Sequence, residues 1–150
     1  MNKTNNVTIL ILTGIAALTI AVGIGRFSYT PILPYMISEL NLTTTDAGLI
    51  ASSNYLGYLL GSLIPIFPQF PKNIRSIFIY SIFISIISLF AMGLTNTFEI
   101  FILIRFIHGV FSAFVLILGT SLIVSHVQQK GKIFLGTAHF SGVGLGMALS

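Results

Sequence analysis

Charge is what this chain has least of. Seven Lys and Arg and three Asp and Glu are spread over 150 residues, 7% in all. A soluble domain carries about 25%. With 55% apolar residues and a mean hydropathy of +1.00, the chain cannot cover a globule with hydrated surface. Cysteine is absent, which excludes disulfide frameworks and thiolate metal sites. Glu39, Asp46 and Glu99 are the acids, each at a helix end or in a loop, so paired-carboxylate chemistry within the membrane has no support. There is no metal-ligand cluster, phosphate-binding glycine loop or nucleophile elbow either. No enzyme activity, cofactor or metal is therefore expected. The net charge of +4 would favour a nucleic-acid partner only if the basic residues clustered, and here they are scattered between apolar runs. No nucleic-acid partner is expected.

What is present is a series of uncharged runs, at 4–25 continued by 27–38, then 47–71, 76–98, 106–129 and 133–150. About 20 mostly apolar residues cross the hydrocarbon core as a helix. The period-two alternation of a membrane barrel is missing. The expectation is an all-α, multi-pass transmembrane bundle in the lipid bilayer, with helices at 8–37, 47–67, 75–96, 99–124 and 133–150. A cleaved signal peptide is the alternative for the first run, but that run is too long for one and more spans follow. Lys3, then Lys72 and Arg75, then Lys130 and Lys132 fall on one face of the membrane, and Glu39, Asp46 and Glu99 on the other. By the positive-inside rule the N-terminus is cytoplasmic and the location is the cell membrane. The last run ends without a flanking loop. Either it is a marginal helix or the chain is an N-terminal fragment whose last helix is incomplete, and the fragment is the favoured expectation.

Arg26 interrupts the first apolar run and is the first candidate site residue. No other Asp, Glu, Lys or Arg lies between Lys3 and Glu39. A charge at mid-bilayer depth costs a few kcal/mol on insertion scales, so it normally faces a polar cavity or a partner. Arg26 precedes Ile37 by 11 residues and Arg105 follows Glu99 by six. At 1.5 Å per residue these are depths of roughly 16 and 9 Å. Both arginines could reach one pocket and grip a carboxylate or phosphate bidentately. Snorkelling to the headgroups is the other reading, most plainly for Arg105.

His108 and Ser112 share the Arg105 face of their helix. His108 is read either as a proton relay or substrate ligand, or as a packing histidine. Asn54 and Tyr58 share a face of the second helix, with Tyr55 beside them, and Tyr29 lies three residues beyond Arg26. Each is a candidate for a polar cavity, with packing between helices as the alternative. His139 has weaker support, and nothing singles out His126. The pairs Gly57 and Gly61, Gly109 and Ala113, and Gly142 and Gly146 are small-residue ridges for close helix packing. Pro31 and Pro34 are expected to bend or end the first helix, and Pro65, Pro68 and Pro71 to close the second.

Gly23-Ile24-Gly25-Arg26-Phe27-Ser28-Tyr29-Thr30-Pro31-Ile32-Leu33-Pro34, followed by Ala51-Ser52-Ser53-Asn54-Tyr55-Leu56-Gly57-Tyr58-Leu59-Leu60-Gly61, resembles the start of a major facilitator superfamily (MFS) transporter. More narrowly it is similar to the YbfB/YjiJ-type branch. Arg105-x-x-x-Gly109-x-x-x-Ala113 resembles the superfamily's fourth-helix motif. The likeness covers essentially all 150 residues and the first five of twelve helices. The loop Phe67-Pro68-Gln69-Phe70-Pro71-Lys72-Asn73-Ile74-Arg75 departs from it, lacking the Gly and Asp of the usual gating motif. The resemblance implies a secondary transporter that moves a small solute by alternating access, together with the remaining transporter helices. The arginines favour an organic anion as that solute. A truncated, non-transporting remnant or an interaction subunit is the other function class.

Overall fold

In the computed structural model, residues 3–128 and 133–150 are described. Lys130 and Lys132, used above for the topology, lie outside the described residues. The first span is built from α1 (Lys3–Leu18), a π-helical turn (Thr19–Ile24), α2 (Gly25–Phe27) and α3 (Tyr29–Leu40). The second is α4 (Thr44–Leu63) with a 3₁₀ turn (Ile64–Ile66), the third α5 (Ile74–Met92) and the fourth α6 (Phe98–Gln128). The fifth begins as a 3₁₀ segment (Ile133–Phe140) and continues as α7 (Ser141–Leu149). No strand occurs among the described residues. Thr8–Leu40, Thr44–Ile66, Ile74–Met92 and Phe98–Gln128 are each long and apolar enough to cross a bilayer.

The helix ends have local causes. The first span runs through both prolines and stops at Asn41, whose φ of 52° is a left-handed cap. Pro31 sits in the first turn of α3, where a missing N–H breaks no helical bond. The joint before it is at Ser28, whose backbone N–H and hydroxyl both donate to the Ile24 carbonyl, at 3.1 and 2.6 Å. α4 starts ahead of the apolar run because Thr43 and Asp46 form a capping box. The Asp46 N–H donates to Thr43 Oγ1 at 3.1 Å, and the Thr43 N–H to Asp46 Oδ2 at 2.9 Å. Asn73 caps α5, accepting from the Ser76 N–H at 3.3 Å. α5 ends at Met92 with Gly93 as its cap, short of residues 93–96 that the sequence places in the third helix. The fifth span is not α-helical from its start. His139 Nδ1 reaches the Gly136 carbonyl three residues back, the spacing of a 3₁₀ turn.

Burial is arranged for lipid. α5 turns Ser81, Ser85 and Ser88 inward and presents Tyr80, Phe83 and Phe90 outward, with Phe90 73% exposed. In water that helix would be inside out. In hydrocarbon, polar side chains gain by facing a neighbour, and large apolar ones lose nothing at the surface.

The spans pack crosswise. α4 lies along α6, where a Cβ at Gly57 or Gly61 would overlap the backbone of Phe106 or Val110. A Cβ at Gly109 would run into the Asn54 carbonyl in return, and Gly61 also meets Ala113. The fifth span lies along the first in the same manner, with Gly142 against the Ile15 carbonyl and Gly146 against Gly23 and Thr19. α5 covers another side of α6. These two glycine-lined contacts set how closely the second span approaches the fourth, which carries Arg105, and how closely the fifth segment approaches the first, which carries Arg26.

Candidate functional site

The site starts from the π-helical turn. One extra residue per turn shifts the register of everything after it, and such turns recur at functional sites. Here the Gly25 N–H bonds back to the Ile20 carbonyl, and Arg26 follows directly. Arg26 is half-buried. Its Cζ stands 4.7 Å from the ring centre of Tyr55 and 4.5 Å from that of Tyr58 on α4. Tyr55 and Tyr58 are three residues apart and therefore neighbours on one helix face. A cation against aromatic rings gains about 0.5–2 kcal/mol, more as water is excluded. Among the described residues, the Arg26 guanidinium donates no hydrogen bond to protein and meets no carboxylate. Its five N–H donors are available to a ligand.

Arg105 is held differently. It is 2% exposed, donates from Nη1 to the Gly25 carbonyl at 3.0 Å, and lies 4.1 Å from the centre of the Tyr29 ring. The Tyr29 hydroxyl donates to the Ala47 carbonyl at 2.9 Å. Asn54 Nδ2 donates to the Arg105 carbonyl at 2.9 Å. Arg105, Tyr29 and Asn54 thus form one buried knot tying the first, second and fourth spans. The two arginines face separate partners. Tyr29 belongs to Arg105 and not to Arg26.

His108 is buried one turn along α6, against Gly25. Ser112 donates to its own helix at Gly109. His139 is satisfied on both sides. Since a carbonyl can only accept, its Nδ1 donates to Gly136, which leaves Nε2 to accept from the Thr120 hydroxyl at 3.0 Å. His126 borders a cavity of about 590 Å³ with Arg75 and Thr13, at the end of the bundle that carries Lys72. No group of three or more His, Cys, Asp or Glu able to hold a metal occurs among the described residues.

Tyr55, in the sequence a polar-cavity candidate beside Asn54 and Tyr58, lies with Tyr58 against Arg26, a pairing the sequence does not show. Its i, i+3 relation to Tyr58 was the nearest signal. Ser85 was missed, although Ser81, Ser85 and Ser88 recur at helical spacing in an otherwise apolar span.

Four apolar spans, serines turned inward and two arginines embedded among aromatic rings define an integral membrane protein of the polytopic helical class. A family model described as "Uncharacterised MFS-type transporter YbfB" matches residues 18–150, and the chain belongs to this family of membrane transporters. No curated protein and no solved structure matches the chain.

Proposed function

We propose that this protein is a secondary transporter that moves a small organic anion across the cell membrane by alternating access, and that Arg26 is the anion-binding group. The observation that carries this reading is the state of Arg26. It stands at mid-span, two phenol rings lie against it, and among the described residues its N–H donors are not used by the protein. A guanidinium with free donors in a partly desolvated setting matches the planar, bidentate geometry of a carboxylate or phosphate. A snorkelling arginine would instead reach for headgroups, and one with a purely structural role would be satisfied as Arg105 largely is. The basic residues at 3, 72, 75, 130 and 132 against the acids at 39, 46 and 99 support an N-terminus inside and the 41–43 and 93–97 connections outside. The glycine-lined contacts fit helices that move as units around a central site.

The test is counterflow in vesicles holding the natural full-length protein, with labelled succinate, gluconate and glycerol 3-phosphate as probes. At least one should exchange, and Arg26→Ala should reduce exchange at least tenfold at equal protein level. Exchange of an uncharged sugar alone, untouched by Arg26→Ala, would refute the anion reading.

A further inference from the structure

Among the described residues, every buried side-chain polar atom without a hydrogen-bond partner belongs to Ser85, Arg105 or His108. The atoms are Ser85 Oγ, Arg105 Nε and both ring nitrogens of His108. Ser85 is fully buried and His108 is 1% exposed. The backbone carbonyls of Ala21 and Ser85 face the imidazole without forming a hydrogen bond to it. Gly25 seats so closely on the ring that a Cβ would overlap Nε2 and Cε1. Three spans therefore converge on one imidazole, with two backbone carbonyls facing it and no hydrogen bond closed. An ionisable residue inside a membrane bundle is costly to keep and is a functional group by default.

A second feature leads to the same place. A cavity of about 410 Å³ lies between α3 and the end of α5. It runs from Glu39 and Asn96, at the face assigned to the outside, to Tyr29 and Gly25 at mid-span. Leu89, one turn from Ser85, also lines it. Gly25 is thus shared, lining the cavity and touching His108. The absence of a side chain there keeps the barrier between them one backbone thick.

We propose that His108 is a proton-binding site loaded from the outer face through this cavity, and that its proton crosses together with the anion held at Arg26. This rests on the transporter reading above. The proton comes from outer water, binds an imidazole nitrogen and is released to water on the cytoplasmic side, with no other bond changed. Arg105 on its own helix and Arg26 on the first span are the cations that bear on His108. α5 contributes the Ser85 hydroxyl there, with Arg75 one end away. Tyr29 lies at the cavity floor and Glu39 at its mouth, while Asp46 caps the outer end of α4. An anion drawn to Arg26 offsets the charge that a proton on His108 adds, so the two load together and the coupling is symport.

The experiment uses the full-length protein in vesicles and the probe anion that gives counterflow. For wild type, an acidic exterior should raise accumulation at least tenfold over matched pH. In His108→Gln that pH-driven accumulation should vanish, while counterflow, which needs no net proton movement, stays within about twofold. Met36, on α3, lines the cavity and is half-buried. In Met36→Cys, a membrane-impermeant thiol reagent added outside should cut pH-driven accumulation at least fivefold and leave counterflow intact. Wild-type accumulation indifferent to the pH gradient, or equal loss of both activities in His108→Gln at normal folded yield, would overturn the proposal while the anion reading stands. If His108→Gln does not fold, the Met36→Cys arm decides, and an unchanged response to the reagent overturns the route. Wild type without any counterflow overturns the transporter reading and this one with it.

Discussion

Two arginines in one bundle show how neighbours decide what a residue does. Arg105 gives a hydrogen bond to the first span, its backbone carbonyl takes one from Asn54, and its guanidinium lies over Tyr29. Among the described residues, Arg26 has aromatic contacts alone. The sequence marked both, because charge in an apolar run is rare enough to stand out. It also marked Asn54, Tyr29 and His108, since polar groups in lipid must find partners. Which partner each finds was not legible, because that depends on the register of one span against another. The pairing of Tyr29 with Arg105 crosses 76 positions of sequence and rests on the π-helical turn, which no local pattern announces. A prediction belongs at this scale. Tyr29→Phe keeps the ring under Arg105 and removes the bond to the Ala47 carbonyl, so it should cost about 0.5–1.5 kcal/mol. Thermal unfolding in detergent should show a small decrease. A shift as large as that of Arg105→Ala would mean the phenol does more than tie α4 to the first span.

At the scale of elements, the helices themselves were readable and their ends less so. Apolar run length located the four helices able to cross a bilayer, yet the capping box at Thr43 and Asp46 starts α4 before its apolar run, and Gly93 stops α5 early. Run length measures hydrocarbon, whereas helix ends are set by hydrogen bonds to a few polar residues. The prolines do not end the first span: Pro31 falls in a first turn, where no helical bond is lost, and Pro34 is carried inside α3. Glycine spacing gives the sharpest test. Gly57→Val and Gly109→Val each push a side chain into the facing backbone, so each should destabilise the bundle by more than about 2 kcal/mol. Gly48→Ala meets nothing within 4 Å, and should be neutral or stabilise by up to about 1 kcal/mol through helix propensity. Monodisperse yield in detergent and unfolding temperature separate the two groups. A Gly57→Val protein as stable as wild type would rule out the tight α4–α6 contact.

For the whole molecule, contacts through paired small residues hold the second span on the fourth and the fifth segment on the first, with Arg26 at mid-span of the first. The topology reading rests on loop charges alone, which folding does not alter. Reporter fusions after Lys72 and Lys132 should read inside and one after Asn41 outside. An external signal at Lys72 would invert the assignment and place the cavity below Glu39 on the cytoplasmic face.

The central claim is that the Arg26 guanidinium grips the transported anion, and Arg26→Lys tests it most directly. Lysine keeps the charge and loses the planar fork that pairs two N–H groups with a carboxylate. Counterflow of the probe anion, normalised to membrane-inserted protein, should fall at least tenfold in Arg26→Lys, with folded yield close to wild type. Full counterflow in that variant would contradict the claim, because an ammonium that snorkels to the headgroups serves as well as a guanidinium only where no anion is gripped.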